Sequence, residues 1–223
     1  MVRHFLLAAL LCSHLVHAAV PDFSAGGVVF GLQYGPGSWF LDGPKLNEQL
    51  KNFPLEQGLL TGTTLNGQSA TVRLGYNILG HATVEGTLTA TGWNLFEPGR
   101  GGAGFGTGVL HWHPLQLVDQ LYAPAWLKER AYDASLFFGM GYGIMGQTRG
   151  LDGLVWQWGA DARWYFGKSI GLGLFVRSTQ LATTNYYIDF YNRSVAGNTI
   201  VLADGGVGSF VQFGLDLTLR FAP

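Results

Sequence analysis

His111 and His113 are the residues whose type and spacing come nearest to a chemical site. Side chains two apart on a strand share a face, so His111-Trp112-His113 presents two imidazoles side by side. That is half of a zinc site, with no nearby third ligand to complete it. Acyl transfer needs an activated nucleophile such as serine, and the tripeptide has none, with Pro114 following it. The pair reads most simply as interfacial side chains at a strand end, and His81 as a solvated turn residue. Gly101–Gly108 is glycine-rich, yet neither a helix nor Gly-Lys-Ser/Thr follows, so it is not a phosphate loop. The remaining candidates are charges: Arg73, Glu85, Asp161, Arg163, Arg177, Asp216 and Arg220, three acids and four bases on the polar faces of apolar-polar alternations. No catalytic residue, cofactor or metal is assigned.

Those charges are positioned by strands. Alternation of large apolar with small or polar residues, the period of a strand with one greasy face, marks Val28–Tyr34, Ala70–Leu79, Ala82–Thr91, Ala103–Trp112, Ala134–Met145, Leu154–Phe166, Ile170–Thr179 and Gln212–Phe221. In Ala103–Trp112 the glycines Gly104, Gly106 and Gly108 share a face with Leu110 and Trp112, which predicts a bulge or register change. Glycine lines at Gly139, Gly141, Gly143 and at Gly171, Gly173 leave room for long arginines or for close backbone approach. Gly80-His81 and Gly167-Lys168-Ser169 are short turns. The longer connections are Gly35–Ser69, Gly92–Gly102, Gly146–Gly153 and Gln180–Gly208, and Pro114–Asp133 is long for a turn. Leu115, Val118, Tyr122 and Trp126 predict a short amphipathic helix there, and Leu46, Leu50 and Phe53 a helical segment within Lys45–Phe53. Thr183–Tyr191 and Thr199–Ala203 either extend the last strands or add a hairpin, so ten strands stay open beside eight.

Composition narrows the class. Charged residues are 12%, about half the usual share, while glycine is 34 of 223 residues and aromatics are 14%. Arg3, His4, the apolar Phe5–Leu11 and Val16-His17-Ala18 form a secretory leader, so residues 1–18 are read as a signal peptide and 19–223 as the folded domain. Cys12, the only cysteine, lies in that leader and after Leu11, where a lipoprotein signal needs a small residue. No later stretch reaches the ~18 apolar residues of a spanning helix. A net charge of −1 gives no basic footprint for nucleic acid.

The last strand resembles the closing strand of bacterial outer-membrane β-barrels, in which a polar residue, a glycine and alternating apolar residues ending in Phe are read by the barrel-assembly machinery. Gln212, Gly214, Leu217, Leu219 and Phe221 match it, with Ala222 and Pro223 trailing. Eight strands of about ten residues, separated by short turns and longer loops, are similar to the small outer-membrane protein A/X-like class. The resemblance implies an all-β, up-and-down antiparallel transmembrane barrel in the outer membrane, both termini periplasmic, in contact with membrane lipid and handled by periplasmic chaperones. A lipocalin, the other eight-stranded reading, needs an apolar interior; here the charges oppose the face bearing Trp156, Trp158, Trp164 and Phe166. An eight-stranded lumen is just wide enough for side chains to fill it, so the seven charges are expected to pair inside and plug it. Lipid A deacylases among small barrels carry His and Ser two apart, a pattern absent at His111–His113. Asn192-Arg193-Ser194, a glycosylation triplet, is incidental in a bacterial setting. The function expected is non-enzymatic: binding, adhesion or envelope integrity through the outer loops. Tyr186, Tyr187, Phe190 and Tyr191 are the first contact candidates. The alternatives are a subunit of an envelope-spanning machine engaged through Pro114–Asp133, and a narrow channel.

Overall fold

The computed structural model describes residues 23, 26–40, 64–78, 80–93, 101–122, 130–146, 149–189, 191–203 and 207–221. The leader, the Lys45–Phe53 segment, Trp126 and Phe190 lie outside them. Eight long antiparallel strands are β1 (Gly27–Phe40), β2 (Thr64–Ile78), β3 (Ala82–Trp93), β4 (Gly101–Trp112), β5 (Tyr132–Gly146), β6 (Gly150–Phe166), β7 (Ile170–Tyr187) and β9 (Val207–Phe221). A three-residue β8 (Thr199–Val201) pairs with the end of β7, and among the described residues one helix, α1 (Pro114–Tyr122), follows β4. Each long strand pairs with its sequence neighbour, β6 with β7 and β7 with β9, and β9 closes the barrel against β1.

The register sets the strand tilt. Following paired residues from Val28 through Tyr76, Val84, Leu110, Phe138, Trp158, Ser178 and Val211 leads back to β1 at Ser38, ten residues further along. A closed sheet returns displaced only if its strands lean on the axis, commonly by ~35–45° in such barrels. Gly80 and Gly167 take positive φ of 81° and 78° in the two tight turns. Both turns lie at the end opposite the long loops, here the turn end and the loop end.

The outer wall is apolar around most of the circumference. Phe30, Leu32, Leu74, Val84, Leu110, Phe138, Met140, Leu154, Leu172, Leu174, Phe213 and Leu215 all stand exposed. A patch of this extent greatly exceeds the ~300–600 Å² that soluble monomers show. Trp112, Tyr132, Trp164, Phe166 and Phe221 rim the turn end, with Tyr132 stacked on Trp164 at 6.0 Å. Tyr34, Tyr142 and Phe213 sit nearer the loop end.

Several strands run past their expected ends. β1 and β2 continue to Phe40 and back to Thr64, β3 and β4 reach Trp93 and Gly101, and β5 and β6 close to a short connection between Gly146 and Gly150. β7 takes in Thr183–Tyr187, and Thr199–Val201 forms a hairpin branch on it, so the barrel closes on eight strands. Toward the loop end the face pattern inverts. Polar residues enter the outward positions (Ser38 on β1, Asn66 and Gln68 on β2, Gln180 and Thr184 on β7) beside Phe40 and Val211, while Trp39, Leu181 and Phe210 point in and are buried. Inversion is what a barrel wall requires where it leaves hydrocarbon for water, and it lowers the contrast by which the strand ends are read. The register change expected in β4 is absent: β4 pairs without interruption to β3 and β5, and its glycines flatten the outer wall. The irregularity falls instead between Asp152 and Gly153, where β6 meets β7.

Inversion places the hydrocarbon boundary between Leu174 and Gln68. In lipid vesicles, Leu174→Arg should lower the unfolding free energy by about 2–4 kcal/mol, and Gln68→Arg should change it by less than about 0.5 kcal/mol. Equilibrium urea titration of the two variants distinguishes them.

Candidate functional site

The candidate site is the lumen. Alternation sends Arg73 of β2, Glu85 of β3, His111 of β4, Ser135 of β5, Asp161 and Arg163 of β6 and Asp216 of β9 inward, all buried. They meet in a closed circuit. Arg73 donates from Nη1 to Glu85 at 3.2 Å, and from Nη2 to Asp216 at 2.8 Å and to Thr218 at 2.8 Å. Arg163 donates from Nε to the other Asp216 oxygen at 3.1 Å and from Nη2 to Asp161 at 2.7 Å. Ser135 donates to Asp161 at 2.8 Å, His111 Nδ1 lies 3.0 Å from the Ser135 hydroxyl, and His111 Nε2 lies 3.2 Å from Glu85. The ring therefore passes through six strands. Gly31 gives Arg73 its space, since a Cβ there would lie 2.5 Å from Nη2.

A second layer sits toward the loop end. Arg177 donates to the Gln33 carbonyl oxygen and to the hydroxyls of Thr71 at 2.9 Å and Thr89 at 3.2 Å. Its guanidinium also rests 5.6 Å from the ring centres of Phe137 and Phe175. Gln33 donates to Asp216 at 2.6 Å, which joins this layer to the ring. Above it the interior becomes apolar: Trp39 stacks on Phe210 at 4.7 Å and tilts against Phe105 at 5.4 Å, beside Met145, Leu151, Val155, Leu181 and Tyr186. At the turn end, Arg220 Nη2 donates to the Phe23 carbonyl at 3.2 Å, and the Phe23 ring lies under Arg130 and Arg220 and edge-on to Tyr165.

Six of the seven charges singled out from sequence thus join the ring or the layer bonded to it, and Arg220 sits at the turn end. The histidines are not interfacial. His111 and His113 share a face as expected, but that face is the lumen: both are buried, with His113 Nδ1 at 2.7 Å from Asp133 and Nε2 at 2.9 Å from Thr83. The parity of β4 decides it, because Trp112 between them takes the outward position. His81 keeps its turn, where its carbonyl accepts the His113 N–H at 2.9 Å.

Ser135 was the missed member, because it lies 24 residues from His111 in sequence and meets it only across β4 and β5. Ser135, His111 and Glu85 have the order of a nucleophile, base and acid. Yet the serine proton is directed to Asp161, and all three groups are buried within the ring. The glycine lines serve close approach: a Cβ at Gly141 would strike the Gly106 carbonyl, one at Gly171 would lie 3.0 Å from the Tyr165 ring, and no arginine is the neighbour of either.

Tyr186 and Tyr187 are not surface contacts. Both are buried, Tyr186 in the apolar cluster and Tyr187 donating its hydroxyl to Asp152, which also accepts from Asn185 at 2.8 Å. Continuation of β7 as a strand turns Tyr186 inward, while Tyr187, its neighbour on the opposite face, is covered where it meets Asp152. Tyr191, at 77% exposure, stands outside. Its N–H donates to Asp189 at 3.0 Å, and the side-chain amide of Asn192 does so at 2.7 Å. These donors, Asn192 first, hold the Asp189 carboxyl below the usual carboxylate range. In the closing strand, Gln212 points into the lumen, Leu217 and Phe221 point out, and Gly214 and Leu219 are half-buried.

The geometry defines a class, a closed eight-stranded barrel with an apolar wall and a charged interior. No protein-family model matches the chain, and no curated protein matches it in sequence. Among solved structures it is similar to neisserial surface protein A, with a TM-score of 0.57 and 8% identity over 88% of this chain and 99% of that one. It is less similar to the N-terminal β-barrel domain of Pseudomonas aeruginosa OprF, with a TM-score of 0.39 and 11% identity over 87% and 98%. The chain has the fold of the small outer-membrane β-barrels.

Breaking the ring exposes its cost. Arg73→Met strands Glu85 and Asp216 without their shared cation and should lower stability in vesicles by about 3–5 kcal/mol. Adding Asp216→Asn should restore part of that loss; urea titration of both variants measures it.

Proposed function

We propose that the protein is a non-enzymatic integral barrel of the bacterial outer membrane, closed to solutes, that acts through its loop end in binding or envelope integrity. The observation that carries this reading is the ring of Glu85, Arg73, Asp216, Arg163, Asp161, Ser135 and His111. Each of its carboxylates is held by an arginine across the lumen, and the packed side chains, with Arg177 on neutral acceptors above them, block the passage. The apolar cluster around Trp39 and Phe210 adds a dry layer above it. Short turns suit the periplasmic side of such barrels and long loops the outer side.

Enclosure also argues against catalysis. A nucleophile must reach a substrate, and Ser135 is 2% exposed beneath two packed layers. The loop-end finger built from β7 and β8 offers what the lumen withholds: Tyr191, Val195 and Val201 are 77%, 55% and 78% exposed. Barrels commonly carry function on such loops.

Planar-bilayer recording from the refolded protein tests the closed lumen. The expected trace is silent. A steady single-channel conductance that changes on Asp161→Asn would make the protein a pore.

A further inference from the structure

Helix α1 is built inside out. Its apolar residues (Leu115, Leu117, Val118, Leu121 and Tyr122) fall on one arc, and Gln116, Asp119 and Gln120 fall on the other. Against a water-soluble body the apolar arc would be buried. Here Gln116 is the buried residue, donating to Asp133 at 3.4 Å, and Asp119 accepts from the buried Arg130 at 3.3 Å. Leu121 and Tyr122 are left 65% and 76% exposed, with Val118 beside them. The anchor is firm: the His113 carbonyl accepts from the N–H groups of Gln116 at 3.1 Å and Leu117 at 3.3 Å, and Pro114 occupies the first helical position, where its missing N–H costs nothing.

The location of the helix identifies what covers the exposed arc. α1 starts two residues after Trp112, an outward aromatic of the turn-end rim, and packs on β5, the strand that begins with the rim residue Tyr132. Pro114 itself borders a shallow groove of about 410 Å³ on the outer wall, with Leu136, Ala160, Ala162, Leu174 and Val176. The apolar arc of the helix thus continues the wall that faces hydrocarbon.

We propose that α1 is an interfacial anchor, lying in the lipid leaflet at the turn end with Val118, Leu121 and Tyr122 among the acyl chains and Gln116 and Asp119 toward the barrel floor. Its partner is a phospholipid surface, in the manner of an amphipathic helix at a bilayer boundary. This rests on the reading of the barrel as membrane-spanning.

Nitroxide scanning tests the two ideas separately. On a Cys12→Ala background, single Leu121→Cys, Leu174→Cys and Ser169→Cys proteins are spin-labelled and reconstituted in phosphatidylethanolamine–phosphatidylglycerol vesicles. Leu121 and Leu174 are exposed wall or helix positions, and Ser169 is in a tight turn, so none disturbs the core. Collisions with a water-soluble nickel chelate should fall several-fold at Leu121 relative to Ser169, with oxygen collisions rising, as at Leu174. If Leu121 meets the chelate as freely as Ser169 while Leu174 stays protected, the anchor is wrong and the arc awaits a protein partner. If Leu174 also meets it freely, the membrane reading falls, and the anchor with it.

Discussion

An apolar wall leaves a polypeptide one place for its polar side chains. Backbone pairing in a closed sheet satisfies the main chain, so the wall can face hydrocarbon. Every charge on the inward face must then find its partner inside a lumen only a few side chains wide. The ring of Arg73, Glu85, Asp216, Arg163, Asp161, Ser135 and His111 is the solution in this chain, and the strand register exists to bring its members level. Asp216 is the hinge of it: it accepts from Arg73, Arg163, Gln33 and Thr218, tying β9 to β1, β2 and β6. The strand that closes the barrel is also the strand that closes the ring.

The interior changes character along the axis, and the exterior changes with it. Between the rims the wall is apolar and the lumen polar. Past Tyr34 polar residues enter the wall and the lumen turns apolar, and there Trp39, Phe105, Leu181 and Phe210 pack. At the turn end the rule is applied once more by α1, whose polar side faces the protein. One physical demand, matching each surface to its solvent, explains the ring, the dry layer and the inverted helix.

Strand existence was legible because period-two alternation survives wherever one face meets lipid. All eight strands and both tight turns follow from it, and the helix after Trp112 follows from the separate helical spacing of Leu115, Val118 and Tyr122. Strand ends were not, since alternation loses contrast where Ser38 and Gln68 replace apolar outward residues. Tyr186 and Tyr187 show the effect: in a loop they would be contacts, whereas on a continued β7 Tyr186 enters the apolar cluster and Tyr187 is covered against Asp152. The charges on polar faces were legible one by one, because Arg73 and Asp216 stand out among small neighbours. Their connectivity was not. The Ser135–His111 contact depends on the register of β4 against β5, and apolar residues on both sides of a glycine-rich strand do not fix that register. The outward parity of Trp112 was the one available clue that His111 and His113 point inward.

The most direct test of a single connected ring is a double-mutant cycle on two members that do not touch each other. Glu85 and Asp216 are bonded to opposite arms of the Arg73 guanidinium. If the ring is one unit, Glu85→Gln and Asp216→Asn should be non-additive in unfolding free energy by about 0.5–3 kcal/mol. Additivity within about 0.3 kcal/mol would mean that the charges are satisfied pair by pair, and the account of a lumen closed by one network would be wrong.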